Sequence, residues 1–165
     1  MSELLPDPYF YQQLPTVISS GAAMLRDEHG RFVAVKPNYR DHWLLPGGGV
    51  DAGEDARETT VREIREELGL EVEVGRLLVV NWVPSSVRIG APMGVHFVFD
   101  AGVVPAAELE RRIRLQASEL EEWRLMSAGE ADALSRWGAH RARYALEVLA
   151  GRAEPEFFGL EVRDE

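Results

Sequence analysis

The sequence predicts an α/β fold, and three observations carry that prediction. Apolar runs with the length and residue types of strands, at 17–25, 32–36 and 95–101, alternate with segments of helical period near 55–68 and 139–149. Turn-forming clusters separate them, above all Asp27-Glu28-His29-Gly30 and Pro46-Gly47-Gly48-Gly49. A chain of 165 residues, 45% of them hydrophobic and with no apolar run of membrane-spanning length, suits one soluble domain with a substantial core.

The elements follow in order. Residues 1–15 carry prolines and aromatics without a clear period and read as an arm lying on the domain or on a partner, a second copy making a homodimer among the candidates. Residues 16–165 then form a single domain, with no internal repeat and no long linker. Strands at 17–25 and 32–36 flank the polar turn as a hairpin. A short strand at 43–45 enters residues 46–49, whose glycines predict a tight turn where backbone can approach a ligand closely. A helix is expected from 55 to 68, stopped by Gly69. Strands at 72–83, 95–101 and 121–125 and helices at 128–134 and 139–149 complete the chain.

Composition removes several kinds of chemistry. With no cysteine there are no disulfides, thiolate zinc sites or cysteine nucleophiles. A cytoplasmic location is the simplest expectation, and residues 1–7 lack the basic and apolar regions of a secretory signal. A net charge of −10 argues against stable nucleic-acid binding, which needs a clustered basic surface. The partner expected is a small molecule. An anionic one is compatible with the acidity, because bound divalent cations reverse the local field at a carboxylate cluster.

The chemistry concentrates at residues 48–70: Gly48, five residues, Glu54, seven residues, then Arg62-Glu63-Ile64, Glu66-Glu67 and Gly69-Leu70. On a helix Glu63, Glu66 and Glu67 fall within about 100° of arc, while Val61, Ile64 and Leu68 gather on a side that can face a core. Like charges at this spacing cost roughly 0.2–0.5 kcal/mol per pair, so the helix gains nothing from them unless a cation sits between. Three hard oxygen donors suit Mg²⁺ or Mn²⁺. An isolated acidic run is ordinarily just a solvated face; the surrounding pattern reverses that reading.

That pattern resembles the Nudix box, the signature of the Nudix hydrolases, matched at every defined position and preceded by a Trp-x-x-Pro-Gly-Gly lead-in from Trp43 to Gly48. The resemblance implies an α/β/α sandwich around a mixed sheet. It also implies a metal-dependent pyrophosphohydrolase that cuts a nucleoside diphosphate linked to another group, such as ADP-ribose or a nucleotide sugar. By the same resemblance Glu63, Glu66 and Glu67 hold the metal, the Gly47 carbonyl completes its shell, and Arg62 and Glu54 keep the catalytic carboxylates in place. Many members recruit a further glutamate outside the box; Glu119, Glu121 and Glu122 are candidates, and Glu119, farthest from the expected strand, is the choice.

Substrate recognition is less legible. Tyr39, Trp43 and Trp82 could stack on a base, although packing explains single aromatics equally, and Pro84 lies at a distance loosely like that in ADP-ribose-directed relatives. His96 sits in a period-2 apolar run and reads as a sheet residue; His42 and His140 read as structural or solvated. Alternatives are a Nudix-fold module that senses a nucleotide without cutting it, against which the intact box argues, and a nucleoside triphosphate pyrophosphatase. An isomerase on the same scaffold would need a cysteine.

Overall fold

The computed structural model describes residues 11–86 and 90–159. Of the expected N-terminal arm, residues 1–10 lie outside the described residues. The sheet is organised around β1 (Val17–Arg26), which runs parallel to β5 (Met93–Val103), Val17 opposite Met93 and Ala23 opposite Phe99. Its other edge is shared: Arg26 faces Phe32 of β2 (Phe32–Pro37), while Ser20 to Ala22 pair antiparallel with β3 (Gly47–Gly49). β4 (Leu77–Val83) joins β5 antiparallel, β6 (Leu120–Met126) joins β2 antiparallel, and β7 (Glu156–Gly159) joins β4 in parallel. The sheet is therefore mixed, in the order β6-β2-β1-β5-β4-β7 with β3 beside β1.

Strand alternation sends successive residues to opposite faces, and the sequence supplies apolar side chains to both. Ala23, Leu25, Val33 and Val35 pack with Ile64 and Leu68 of α1 (Ala56–Leu68) and Leu109 of α2 (Ala106–Arg112). Met24, Phe32, Ala34, Val79 and Val98 pack instead with Ala139, Ala142, Ala145 and Val148 of α3 (Arg136–Leu149) and Ala131 of a 3-10 turn (Ala128–Ala133). These two cores make the α/β/α sandwich that the resemblance implies. No helix among the described residues is long and apolar enough to cross a membrane.

The glycine segment corrects an expectation. Residues 47–49 make a strand, not a tight turn, and the reason is steric. A Cβ on Gly48 would lie 2.2 Å from a Glu63 carboxylate oxygen, and one on Gly21, opposite it in the ladder, 2.0 Å from the Ala56 carbonyl oxygen. Only glycine lets β1, β3 and the start of α1 approach this closely.

Other boundaries move for local reasons. The strand expected at 72–83 begins at Leu77, because the Arg57 guanidinium takes the carbonyls of Val74 and Gly75 and the segment meets the sheet around Asp100, whose carbonyl accepts from Gly75 N–H at 2.7 Å and whose N–H donates to the Arg76 carbonyl at 2.9 Å. Trp43 and Leu44 make only isolated bridges, to Leu134 and Val35. The helix expected at 128–134 is a 3-10 turn. The last helix starts at Arg136, where Ser135 caps it by accepting from Gly138 N–H at 3.1 Å. α2 and β7 are elements the sequence reading did not place.

Gly21→Ala should lose about 1–3 kcal/mol of stability, the usual cost of overpacking, because its new methyl meets backbone. Gly48→Ala should lose less, since it meets the movable end of Glu63. Urea denaturation of both variants checks the order.

Candidate active site

The phase of α1 is fixed at both ends. Asp55 accepts from the N–H groups of Arg57 and Glu58 at 2.8 and 3.0 Å, and the Glu58 carboxylate returns a bond to Asp55 N–H at 2.8 Å, a reciprocal capping box. Gly69, at φ 66°, closes the other end by donating to the Arg65 carbonyl. With Ile64 and Leu68 in the core, the remaining phase sets how deeply each glutamate sits. Glu66 is exposed, Glu63 half-buried, and Glu67 buried at 7% exposure. The three therefore do not share one solvated face, as helical spacing alone suggests; they descend from solvent into the contact between α1 and β3. There Glu67 accepts from Gly47 N–H at 2.8 Å.

Arg62 ties this descent together. Its Nε and Nη2 form a fork on Glu54 at 2.8 and 3.1 Å, and Nη1 donates to Glu63 at 2.8 Å and Glu66 at 3.0 Å. Nη2 also reaches the Gly49 carbonyl at 3.1 Å. Glu54 is further held by the Thr59 hydroxyl at 2.9 Å. The box residues Glu54, Arg62 and Glu63 are thus one hydrogen-bonded unit resting on β3.

One guanidinium does not balance these charges. The Arg62 bonds pull the Glu54 carboxyl down to about 2. Glu63 is raised, first by burial and then by the charges of Glu66 and Glu119, against the pull of Arg62. Glu67 is pushed up to about 8 by burial, with Glu63, Glu119 and Glu66 adding to the rise and Gly47 N–H opposing it. Among the described residues no three acidic or histidine side chains already stand in metal-ligating geometry. The chemistry of the donor set nonetheless fits a divalent cation: it is all hard oxygen, graded in exposure, and it includes a carboxyl, Glu67, that the protein alone does not keep ionised at neutral pH.

Glu119 lies in the turn before β6, where Gln116 N–H donates to the Glu67 carbonyl at 3.1 Å and Asn38 N–H to the Glu119 carbonyl at 2.9 Å. The turn is thereby docked against the end of α1, and the Glu119 charge acts on Glu63 and Glu67. Glu121 and Glu122 lie exposed on β6 itself, Glu122 paired with Lys36. Gly47 touches the cluster through its N–H to Glu67.

A cavity of about 800 Å³ opens on the other side of β3, bounded by Gly47 to Gly49, Ser20, His96, Tyr39 and Arg141. Of the aromatics, exposed Tyr39 stands at this cavity; Trp43 packs beneath the Arg124 guanidinium, 4.4 Å from its ring centre, and Trp82 is half-buried on β4. His42 also lines the cavity, and His140 packs edge-on against Phe158. His96 is the sheet residue expected, but it bonds Ser20 and faces the cavity. The sequence reading missed Ser20, Asn81 and Arg141. The available signal was a polar residue breaking each of three apolar patterns.

A NUDIX-domain family model matches residues 16–148. Nudix hydrolase 25 of Arabidopsis thaliana is 26% identical over 138 residues, 83% of this chain and 79% of that protein. An RNA pyrophosphohydrolase of a Nitratiruptor species is 40% identical over 40 residues, 24% of this chain and 26% of that protein, so the match spans about a quarter of the relative. Among solved structures, the MutT protein from Methanosarcina mazei Go1 superposes with a TM-score of 0.66 at 24% identity over 84% of this chain and 98% of that one, a likeness of fold.

The Glu54 carboxyl, depressed in the folded state, contributes stability that is present above its unfolded value of 4.5 and lost as pH falls through about 2. Urea midpoints should therefore drop across this window in the wild type and fall less steeply in Glu54→Gln.

Proposed function

The chain belongs to the Nudix family of hydrolases, whose members act on phosphoric anhydride bonds, and from that premise we propose that it cleaves a nucleoside diphosphate linked to another group, yielding a nucleoside monophosphate and the phosphorylated remainder. The observation that carries this reading is the clustering of three carboxyls, Glu63, Glu66 and Glu67, around one guanidinium and one backbone N–H.

Nudix hydrolases generally use divalent metal ions. In this chain Glu63, Glu66 and Glu67, with the backbone at Gly47, are the residues that would hold Mg²⁺ or Mn²⁺. Such an ion supplies charge neutralisation at the phosphates and a bound water of lowered pKa. Arg62 and Glu54 orient the ligands without touching substrate. A lysine at position 62 would supply a point charge but not the fork. Glu119 meets the remaining need, a base for the attacking water, because its turn abuts the cluster while its side chain stays exposed. The cavity beyond β3, with Tyr39 at its edge, would receive the part of the substrate away from the bond cut. The cysteine-free composition supports work in a reducing cytoplasm.

The test is turnover of ADP-ribose, nucleotide sugars, dinucleotides and nucleoside triphosphates with Mg²⁺ and Mn²⁺, products resolved by chromatography. Expected is monophosphate plus a phosphorylated remainder, with Glu67→Gln slower by about 100-fold or more. Glu119→Gln should depress kcat more than Glu121→Gln or Glu122→Gln, a comparison in which all three changes shift the net charge equally. Release of inorganic pyrophosphate from triphosphates alone would replace the reading with a triphosphate pyrophosphatase. Ligand stabilisation without turnover would make the chain a sensor.

A further inference from the structure

Strand register places Ser20, His96, Asn81 and Phe158 side by side across β1, β5, β4 and β7. This row lies on the face that α3 covers, continuing the apolar columns of Ala22 and Met24, of Val98 and of Val79. Polar groups in such a place need partners, and most are found internally. A ring nitrogen of His96, Nδ1, lies 2.6 Å from the Ser20 hydroxyl. Asn81, with no exposed surface, donates to the carbonyls of Trp82 and Phe158 at 3.2 and 3.1 Å and accepts from Arg141 Nη1 at 3.1 Å.

Arg141 is the member left incomplete. It reaches down from α3 into the cavity wall, and among the described residues Asn81 is its hydrogen-bond partner and no carboxylate pairs with it. Burial alone draws its pKa down to about 10, so it is a desolvated cation at neutral pH. Of the other arginines on this face of the sheet, Arg26 has Asp100 at 3.0 Å and Arg124 stacks on the Trp43 ring. His96 cannot supply the missing anion; burial, and then Arg141 itself, hold its pKa at about 4, so it is neutral. A desolvated cation oriented by a buried amide, with its remaining donors toward a cavity, is destabilising unless something negative arrives there.

That anion is not the phosphate being cut. Glu63 and Glu67 approach β3 from the α1 side, filling the space over Gly48 and bonding Gly47 N–H, whereas Arg141 and His96 belong to the α3 side.

We propose that Arg141 is a specificity-determining residue that receives a second anionic group, a phosphate monoester or a carboxylate, carried by the substrate beyond its scissile diphosphate. Asn81 is the positioning residue that aims it, and the Ser20–His96 pair offers neutral hydrogen bonding beside it. This rests on the hydrolase reading above and narrows its substrate class to diphosphates with an additional fixed charge.

Binding without catalysis tests it. In EDTA, calorimetry would compare two matched pairs on the full chain: NADP⁺ with NAD⁺, which differ by one phosphate monoester, and UDP-glucuronate with UDP-glucose, which differ by one carboxylate. The expected result is at least about tenfold tighter binding of the charged member in one pair, and which pair shows it identifies the anion. Arg141→Gln should cancel that preference and should melt no lower than the wild type, because an unpaired desolvated charge is gone. Equal binding within both pairs by the wild type overturns the proposal without recourse to any variant, as does a preference that survives Arg141→Gln. Because no metal and no turnover are involved, a charge preference in a protein that hydrolyses nothing would sink the hydrolase reading and leave the anion site standing.

Discussion

All five N–H donors of Arg62 are engaged, on Glu54, Glu63, Glu66 and the Gly49 carbonyl. The rest of the site depends on this single guanidinium. It sets the distance between α1 and β3, fixes the rotamers of two box glutamates, and occupies Glu54 so completely that this residue becomes an anchor. What it does not do is cancel the charge. Glu67, out of its reach and bonded only to a backbone N–H, keeps a carboxyl pushed up to about 8 by burial and by its acidic neighbours. A protein selected for stability alone would not leave such a group at a helix–sheet contact, and this supports the proposal that a cation binds there.

The sheet makes the tension possible. Glycine at position 21 lets the start of α1 approach β1, glycine at 47 lets β3 lie against β1, and glycine at 48 leaves room for the Glu63 carboxylate, so carboxylates that would otherwise point into water lie against β3. The same thin strand separates two environments. On the α1 side carboxyl groups crowd around Glu63 and Glu67; on the α3 side Arg141, bonded to Asn81, faces a cavity that Arg40 also lines. On the function proposed above, this difference between the two sides of one strand would give an extended anionic substrate a direction, its diphosphate toward the α1 carboxylates and its far end toward Arg141.

Elements whose signals are local were legible in the sequence. Gly69 marks the end of α1, and apolar runs bounded by turn-forming clusters mark β1, β2 and β5. The box residues could be placed because their spacing is read along one helix. What escaped depends on contacts distant in sequence. Glycines 47–49 have poor strand propensity and become β3 only because β1 lies beside them. Val72 and Val74 look like strand, yet Arg57, back in the first turn of α1, captures the carbonyls of Val74 and Gly75. The burial of Glu67 follows from the position of Gly47, which helical periodicity does not contain. The row of Ser20, His96 and Asn81 exists only once three strands are in register, and Arg141 acquires meaning only above that row.

The proposed function requires the carboxylates of α1 to form one cation site. Titration of the full chain with Mn²⁺, followed by electron paramagnetic resonance, tests it most directly, because it reads the ion and not the reaction. Saturable binding that weakens about tenfold or more in both Glu66→Gln and Glu67→Gln, with the fold intact, is the expected result. Binding of equal strength in the wild type and both variants would contradict it.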